Sequence, residues 1–263
     1  MRRNTLFWGA VLIIFGVLQL LYNLGILQIS VWQLAWPLLL IAFGVWILFG
    51  TVLRRNPGKE EQVTIPLDTS VRAHITIGHA AGRLSLQGKT EAGVLVKGTF
   101  VGGLDYRTRK DGDLLNVDMR VPESIFPWGW GPGSTLDWNF NVSDAIPLTL
   151  DFNTGASESQ IDLSGLRVTD VSVQTGASST TLTLPAASGM THLKVGSGAA
   201  SVNVKVPDGV AARIRVQSGL AGITIDQARF PRQGDLYLSP DYGSAQNRVD
   251  IDVQTGVGSI NIR

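Results

Sequence analysis

The chain has 263 residues, of which 44% are hydrophobic and 16% are charged, and its formal net charge at pH 7 is +1. This length accommodates one or two domains, and this charge gives no electrostatic footprint for nucleic-acid binding. The sequence contains no cysteine, which excludes disulfides, thiolate catalysis and cysteine metal sites but leaves the redox compartment open.

The first 53 residues predict a transmembrane helical hairpin. No charged side chain occurs from Thr5 to Leu53, and this segment divides into two apolar runs, at about 5–23 and 31–53. At 1.5 Å per residue the second run is about 34 Å long, which is enough to cross a bilayer. A cleaved signal peptide is the alternative. It is disfavoured because no small-residue cleavage site follows the first run and a second span comes immediately after it.

Basic residues predict the orientation of this hairpin. Two precede the first span and three follow the second, whereas the loop at 23–30 has none: Arg2, Arg3, Arg54, Arg55 and Lys59. The positive-inside rule therefore places both ends of the hairpin in the cytoplasm and the short loop outside. Neither span contains an ionisable group, so we expect an anchor or a surface for another membrane protein, not a transport pathway.

A charged linker that contains proline and glycine occupies 54–62, and we expect the soluble domain to cover 63–263. Strand signals recur at short intervals after the linker, at Val63–Leu67, Ala73–Ile77, Leu84–Leu86, Val94–Phe100 and Leu114–Met119. The segment 77–86, IGHAAGRLSL, has the shape of a phrase that is repeated later, so it is a candidate for the start of a regular stack.

Two segments interrupt the strand pattern, at 123–140 and 226–248. Within the first, Trp138 alternates with Leu136 and Phe140, as core residues of a strand do. The second should bulge out as a long loop.

A short phrase occurs five times in the second half of the chain: FNTGASESQIDL at 152–163, VQTGASSTTLTL at 173–184, VGSGAASVNV at 195–204, VQSGLAGITI at 216–225 and VQTGVGSINI at 253–262. Its glycines are 21, 22, 21 and 37 residues apart: Gly155, Gly176, Gly198, Gly219 and Gly256. Apolar and polar residues alternate on both sides of each glycine, which indicates strands. A fixed period of this size is typical of a solenoid.

The sequence thus predicts a mainly β fold, a two-faced β-solenoid of stacked repeats of about 21 residues that is regular from about 148. Each coil would contain two short strands joined by a tight turn, with φ > 0 at glycines such as Gly176 and Gly219. One coil buries too little apolar surface to offset its chain entropy, so the coils must stack. An antiparallel hairpin stack is the alternative, because glycine turns also suit hairpins.

The sequence predicts no catalytic, cofactor or metal site. The three histidines lack metal-ligand spacing and are expected to be solvated: His74, His79 and His192. The segment GSGAAS at 196–201 lacks the lysine and the helix of a phosphate loop. Asp250 and Asp252 share one strand face, for which a solvated role is favoured over calcium binding. No nucleophile elbow or triad spacing is present.

Two places are candidate partner contacts. Three aromatic residues among glycine and proline either plug the end of the stack or form an exposed contact: Phe126, Trp128 and Trp130. The final strand, with Ile260 and Ile262, has no capping segment after it in the sequence. We therefore expect an open edge, over which either the 226–248 loop folds or a partner strand or a second copy pairs.

Two features together resemble a known group. The hairpin, with GVLQLLYNLGIL at 16–27, AWPLLLIAFGVWIL at 35–48 and Arg54-Arg55 after it, resembles the transmembrane region of LiaF-like bacterial membrane proteins. The soluble part resembles the toast-rack domain associated with that group, through LDWNF at 136–140, PLTLDFNTGASESQIDLSGLRV at 147–168 and VSVQTGASS at 171–179. This chain departs from the better-known members in having two apparent spans where they have four.

The resemblance implies a multi-pass protein of the bacterial cell membrane that is not an enzyme. Such proteins act in envelope stress signalling, respond to cell-wall-active antibiotics and restrain a membrane-bound histidine kinase. We therefore expect a membrane-anchored regulatory or sensory protein whose partners are the lipid bilayer and a membrane histidine kinase or other membrane protein. The alternatives are a membrane-tethered scaffold that self-associates and an adhesin-like binding module, which would require the opposite topology.

Overall fold

The computed structural model describes residues 36–37, 40–41, 60–122 and 136–263. The chain divides into two compact units, Met1–Arg55 with Gly131–Gly133, and Asn56–Trp130 with Ser134–Arg263. In the first unit the described positions, 36–37 and 40–41, are helical. Among the described residues no helix is long and apolar enough to cross a bilayer. Apart from those four positions, the two predicted spans lie outside the described residues.

The second unit is mainly β, and its described residues form one hydrogen-bonded sheet of 14 strands. The strands are β1 (Glu60–Pro66), β2 (Arg72–Gly88), β3 (Val94–Val101), β4 (Asp105–Asp111), β5 (Leu114–Arg120), β6 (Asp137–Val142), β7 (Leu148–Asp162), β8 (Val168–Thr175), β9 (Ser179–Thr183), β10 (Met190–Lys205), β11 (Ala211–Ile225), β12 (Arg232–Gln233), β13 (Leu236–Leu238) and β14 (Arg248–Ile262). The strand signals near the start of the domain fall in β1, β2, β3 and β5, whereas the highly charged β4 gave no signal.

Parallel stacking dominates the domain. Strands β2, β7, β8, β10, β14 and β11 lie side by side in that order, and each adjacent pair is parallel. Leu150 lies opposite Val171, and Val171 lies opposite Leu193, which are steps of 21 and 22 residues. The sequence period is therefore the distance along the chain between hydrogen-bonded neighbours. The antiparallel hairpin stack is wrong for these strands.

Each repeat glycine marks a change in which residues face inward. In β7, Leu150, Phe152 and Thr154 are buried before Gly155, and the odd-numbered Ser157, Ser159 and Ile161 are buried after it. Strands β2, β10 and β14 show the same shift of phase. Two consecutive residues thus face outward at the glycine. The strand turns a corner at the glycine, and its apolar side chains point into the same core before and after the corner.

The predicted pair of short strands per repeat is found only around Gly176, between β8 and β9. The other five stacked strands run through the corner as single strands of 15 to 17 residues. The prediction of φ > 0 at Gly176 and Gly219 is also wrong, because neither glycine has a left-handed backbone. In the five long strands the corner lies within one strand, whereas at Gly176 the chain bends between β8 and β9.

The order of the last strands differs from their order in the sequence. Strand β14 lies between β10 and β11, with Ile260 paired to Val202 on one side and to Ile223 on the other. Ile260 is 1% exposed and Ile262 is fully buried. The expectation that these two residues form an open edge is therefore wrong. Strand β11 follows β10 in the sequence but is not its neighbour in the sheet, because β14 lies between them.

The segment 226–248 is not a simple bulging loop. It contains the β12–β13 hairpin, whose second strand pairs antiparallel with Arg213–Arg215 of β11. Phe230 is fully buried, and Arg229 donates hydrogen bonds from its guanidinium to the carbonyl oxygens of Val206 and Pro207. This segment therefore covers the first part of the outer edge of β11.

The core follows the alternation of the strands and changes character along the stack. Its first part contains large aromatic side chains: the Trp138 ring lies edge-on to Phe100 at 5.3 Å, and Phe100 stacks on Phe140 at 5.7 Å. All three side chains are at most 1% exposed, so the prediction that Trp138 packs in the core is confirmed. The repeats that follow are filled mainly by valine, isoleucine and leucine.

Candidate functional site

A column of glycines crosses the stack at the corners. A β-carbon on Gly176 would lie 3.3 Å from the carbonyl oxygen of Gly155, and one on Gly198 would lie 3.3 Å from that of Gly176. A β-carbon on Gly256 would lie 2.8 Å from the carbonyl oxygen of Gly198, and one on Gly219 would lie 2.9 Å from that of Gly256. Glycine is needed here because neighbouring backbones approach closely, which is a different reason from the positive φ expected from the sequence.

Hydroxyl groups beside this column bond from one strand to the next. Thr154 donates to Thr175 at 2.9 Å, and Ser197 donates to Thr255 at 2.8 Å. Thr154, Thr175 and Thr255 are each 7% exposed, and these bonds satisfy hydroxyls that water does not reach. The hydroxyls of Thr154, Thr175, Ser197 and Thr255, each beside a repeat glycine, therefore have a structural role.

The outward face just before the corners is polar. Gln174, Gly196, Gln254 and Gln217 lie next to one another in successive strands. The Gln174 side chain lies over Gly196, where a β-carbon would collide with it. Together with Lys194, Arg215 and Asp252 they line a cleft of about 380 Å³. Amide groups both donate and accept hydrogen bonds, so this polar face suits a polar protein segment better than an apolar ligand.

A charged cluster lies at the end of the stack, around Asp250, which is only 8% exposed. Arg213 from β11 and the hydroxyl of Tyr242 both donate to its carboxylate, and His192 Nδ1 lies 3.9 Å from it. The expectation that Asp250 is solvated is therefore wrong. Burial and the Asp250 carboxylate raise the pKa of Tyr242 to about 12, and the hydrogen bond to Asp250 raises the pKa of Arg213.

Tyr242 is held from two sides. The guanidinium of Arg213 lies 5.5 Å from the centre of its ring, and that of Arg248 lies 6.0 Å away. These contacts fix the segment before β14 against the stack, since Tyr242 belongs to that segment and Arg213 to β11. The Asp250 carboxylate pairs with Arg213, and together these contacts clamp the segment that precedes β14 to β11.

The histidines occupy three different environments. His74 Nε2 lies 2.7 Å from Asp151 Oδ2 on the neighbouring strand. His79 is 1% exposed, so the expectation that it is solvated is wrong. Its Nε2 lies 3.0 Å from the carbonyl oxygen of Leu136, its ring lies 5.1 Å from Trp138, and burial lowers its pKa. Within the described part of the chain, no three His, Asp or Glu side chains cluster as metal ligands would.

The five partner-contact residues predicted from the sequence fall into two groups. Phe126, Trp128 and Trp130 lie outside the described residues. Ile260 and Ile262 are core residues, as reported above. The sequence analysis missed Leu220 and Val257, which are 84% and 53% exposed. A signal was present, because the residue after every repeat glycine is apolar: Ala156, Ala177, Ala199, Leu220 and Val257.

Comparison with known proteins adds two family matches. Residues 54–205 match the family described as the N-terminal domain of toast_rack, and residues 6–48 match the LiaI-LiaF-like transmembrane region. The first match ends at the last residue of β10, Lys205. No curated protein matches the chain.

Solved structures also resemble the chain. A candidate cell adhesion protein from Clostridium sporogenes ATCC 15579 aligns at a TM-score of 0.70 and 20% identity, over 78% of this chain and 98% of that one. At 20% identity this similarity shows that the two chains share a fold, and it shows nothing about function. A candidate adhesin from Bacteroides fragilis NCTC 9343 aligns over 79% of this chain and 99% of that one, but its TM-score of 0.32 and 7% identity support no argument.

The two family matches fall on the segments where the sequence resembled them. The transmembrane match covers most of the uncharged region and associates the protein with the membrane. The toast_rack match covers more than half of the chain and contains β1 to β10. The chain belongs to the toast-rack family and carries a LiaI-LiaF-like transmembrane region before its toast-rack domain.

Proposed function

We propose that this protein is a membrane-anchored regulator of the bacterial envelope stress response that acts through protein contacts and not through catalysis. The observation that carries the proposal is the combination on one chain of a LiaI-LiaF-like transmembrane region at 6–48 and a toast_rack domain at 54–205.

In this proposal the two predicted helices form a multi-pass anchor, and the domain at 63–263 is a cytoplasmic β-solenoid. The uncharged loop at 23–30, between basic flanks, supports that topology. The parallel pairing of strands 21 and 22 residues apart, with a corner at each glycine, supports a two-faced coil as the repeating unit. A stack of this kind offers a regular, extended face to a partner.

The partner contact in this proposal is the polar face formed by Gln174, Gln217 and Gln254. Lys194 and Arg215 flank it and give it a positive margin, with Asp252 beside them. A cytoplasmic segment of a membrane histidine kinase with acidic and polar side chains would suit this face. Such a contact would restrain the kinase until the envelope is damaged.

Genetic replacement in the native bacterium tests the proposal. Deleting the gene should raise a reporter of the cell-wall stress response in the absence of antibiotic, and the full chain should restore the basal level. Lys194→Glu should fail to restore it although the protein reaches the membrane in normal amount. Lys205→Glu is the matched control, because Lys205 is also exposed on β10 but lies outside the cleft.

A reporter that ignores the deletion, both with and without cell-wall-active antibiotics, would exclude the regulatory role. The second candidate is a membrane-tethered scaffold that self-associates. It is favoured by one observation: on the outer side of β11, β13 pairs only with Arg213–Arg215, and the rest of the strand, 216–225, is uncharged. An adhesin-like module would need the domain on the outer side of the membrane.

A further inference from the structure

Part of the outer edge of β11 has no strand beside it. On its inner side, β11 pairs with β14 over nearly its whole length. On its outer side, β13 pairs only with Arg213–Arg215. From Val216 to Ile225 no other described strand or backbone group bonds to the outer edge. These backbone N–H and C=O groups are available for a further strand.

The composition of this edge differs from that of the other open edges in the described part of the domain. Strand β1 pairs only with β3 and contains Glu60, Glu61 and Pro66, and β4 pairs only with β5 and has five charged residues among its seven. Charges and proline protect edge strands from unwanted pairing. The segment 216–225, VQSGLAGITI, contains neither. This edge therefore lacks the usual protection.

The same edge exposes an apolar patch. Leu220 is 84% exposed, the highest value among the large hydrophobic residues that the structure describes. Leu220 is paired with Val257 on β14, which is 53% exposed, and paired residues of parallel strands share a face. The residues after the repeat glycines are alanines at Ala156, Ala177 and Ala199, so large side chains occur only at this end.

We propose that the edge 216–225 pairs antiparallel with the same segment of a second copy, about a two-fold axis. An uncharged edge can meet itself without like-charge repulsion. The segment is bounded by Arg215 at one end and Asp226 at the other. Antiparallel pairing brings the Arg215 end of each copy, where the arginine also pairs with Asp252, near the Asp226 end of the other copy. The charged edges of β1 and β4 disfavour head-to-tail growth, so the assembly closes as a dimer.

The corner in β11 fixes the register of this pairing. Strand β14 changes its inward-facing phase around Gly256, and its register with β11, in which Val257 lies opposite Leu220, places the corner of β11 at Gly219 and Leu220. The β11 edges of the two copies can pair along their whole length only when their corners lie opposite each other. The two-fold axis of the dimer therefore passes close to Leu220. Leu220 of each copy then lies against that of the other, and the adjoining Val257 side chains extend one covered apolar row across the dimer. The β12–β13 hairpin limits the added strand to this open part of the edge.

Cysteine cross-linking of the full chain in isolated membranes tests the proposal, because the sequence has no cysteine of its own. Each residue further from the axis separates the two copies of a cysteine by two residue spacings, about 7 Å. Leu220→Cys or its neighbour Ala221→Cys should therefore give the most disulfide-linked dimer under mild oxidation. Thr224→Cys should give at least tenfold less. Thr108→Cys, on the exposed charged edge of β4, is the background control.

Charge substitutions give a second readout. Leu220→Lys with Thr224→Lys places like charges across the axis on exposed positions, so folding should be retained while cross-linking through Ala221→Cys falls at least tenfold. A second copy with Leu220→Glu, Thr224→Glu and Ala221→Cys, coexpressed with the lysine variant, should restore the cross-linking yield, because opposite charges then face each other across the axis. A yield at 220–221 no higher than that of Thr108→Cys would overturn the proposal. So would equal yields at 220, 221 and 224, or a lysine variant that cross-links like the parent. These outcomes are independent of whether the protein regulates a kinase.

Discussion

Gly256 lies so close to Gly198 of the adjacent strand that a β-carbon on Gly256 would come within 2.8 Å of the Gly198 carbonyl oxygen. A β-carbon cannot be accommodated at that distance unless one of the two backbones moves. Because Gly256 is on β14, which is paired on both sides, its strand has little freedom to shift. The absence of side chains in the glycine column therefore allows the backbones of neighbouring strands to come into contact at the corners.

The first prediction concerns this column. Gly256→Ala should destabilise the domain by about 1–3 kcal/mol, the usual cost of overpacking. Gly155→Ala should cost more, because its β-carbon would come still closer to the Ala80 carbonyl oxygen. Gly165→Ala is the control: nothing lies within 4 Å of its β-carbon position. Thermal unfolding of the detergent-solubilised full chain measures all three. Equal destabilisation by the three alanines would contradict the close-approach explanation.

The second prediction concerns the Asp250 cluster. Tyr242→Phe removes a hydroxyl that donates to a nearly buried carboxylate, so the free energy of unfolding should fall by about 1.5 kcal/mol. The segment 239–248 should also become more sensitive to limited proteolysis, because Tyr242 fixes it to β11. Tyr106→Phe is the matched control, since Tyr106 is 41% exposed on the charged edge strand β4. If both variants behave like the parent, the cluster is not a clamp.

The third prediction is a pH dependence that arises from His79. Burial lowers the pKa of His79 below the ordinary value of 6.5, so the folded protein binds fewer protons there than the unfolded chain. Its contribution to stability is fully present above about pH 6.5 and is lost as the pH falls below that value. His79→Gln should flatten the dependence of the melting temperature on pH below about 6.5. An unchanged slope in the variant would show that His79 is not the group responsible.

The fourth prediction concerns topology. An alkaline phosphatase fusion after Arg263 should be inactive, and an insertion of the same enzyme in the 23–30 loop should be active, because basic residues flank an uncharged loop. A fusion of green fluorescent protein after Arg263 provides the complementary signal from the cytoplasmic side. Phosphatase activity after Arg263 would place the domain outside the cell and revive the adhesin-like role.

The sequence by itself determined the repeating unit. The positions of Gly155, Gly176 and Gly198, with the alternation around them, predicted strands whose neighbours are 21 and 22 residues away, and the structure has those pairings. It also placed Trp138 in the core. These features depend on local periodicity, because a half-buried strand needs an apolar side chain at every second residue. Local patterns of this kind can be read without knowing the neighbours.

The tertiary structure alone decided which strands are neighbours at the end of the stack. The segments 216–225 and 253–262 have nearly the same pattern, so either could lie beside β10 as far as local sequence shows. The structure places β14 there, between β10 and β11, and the β12–β13 hairpin lies on the far side of β11. Long-range packing thus decided that Ile260 is buried, that Asp250 is enclosed by Arg213 and Tyr242, and that Leu220 is exposed at the open edge.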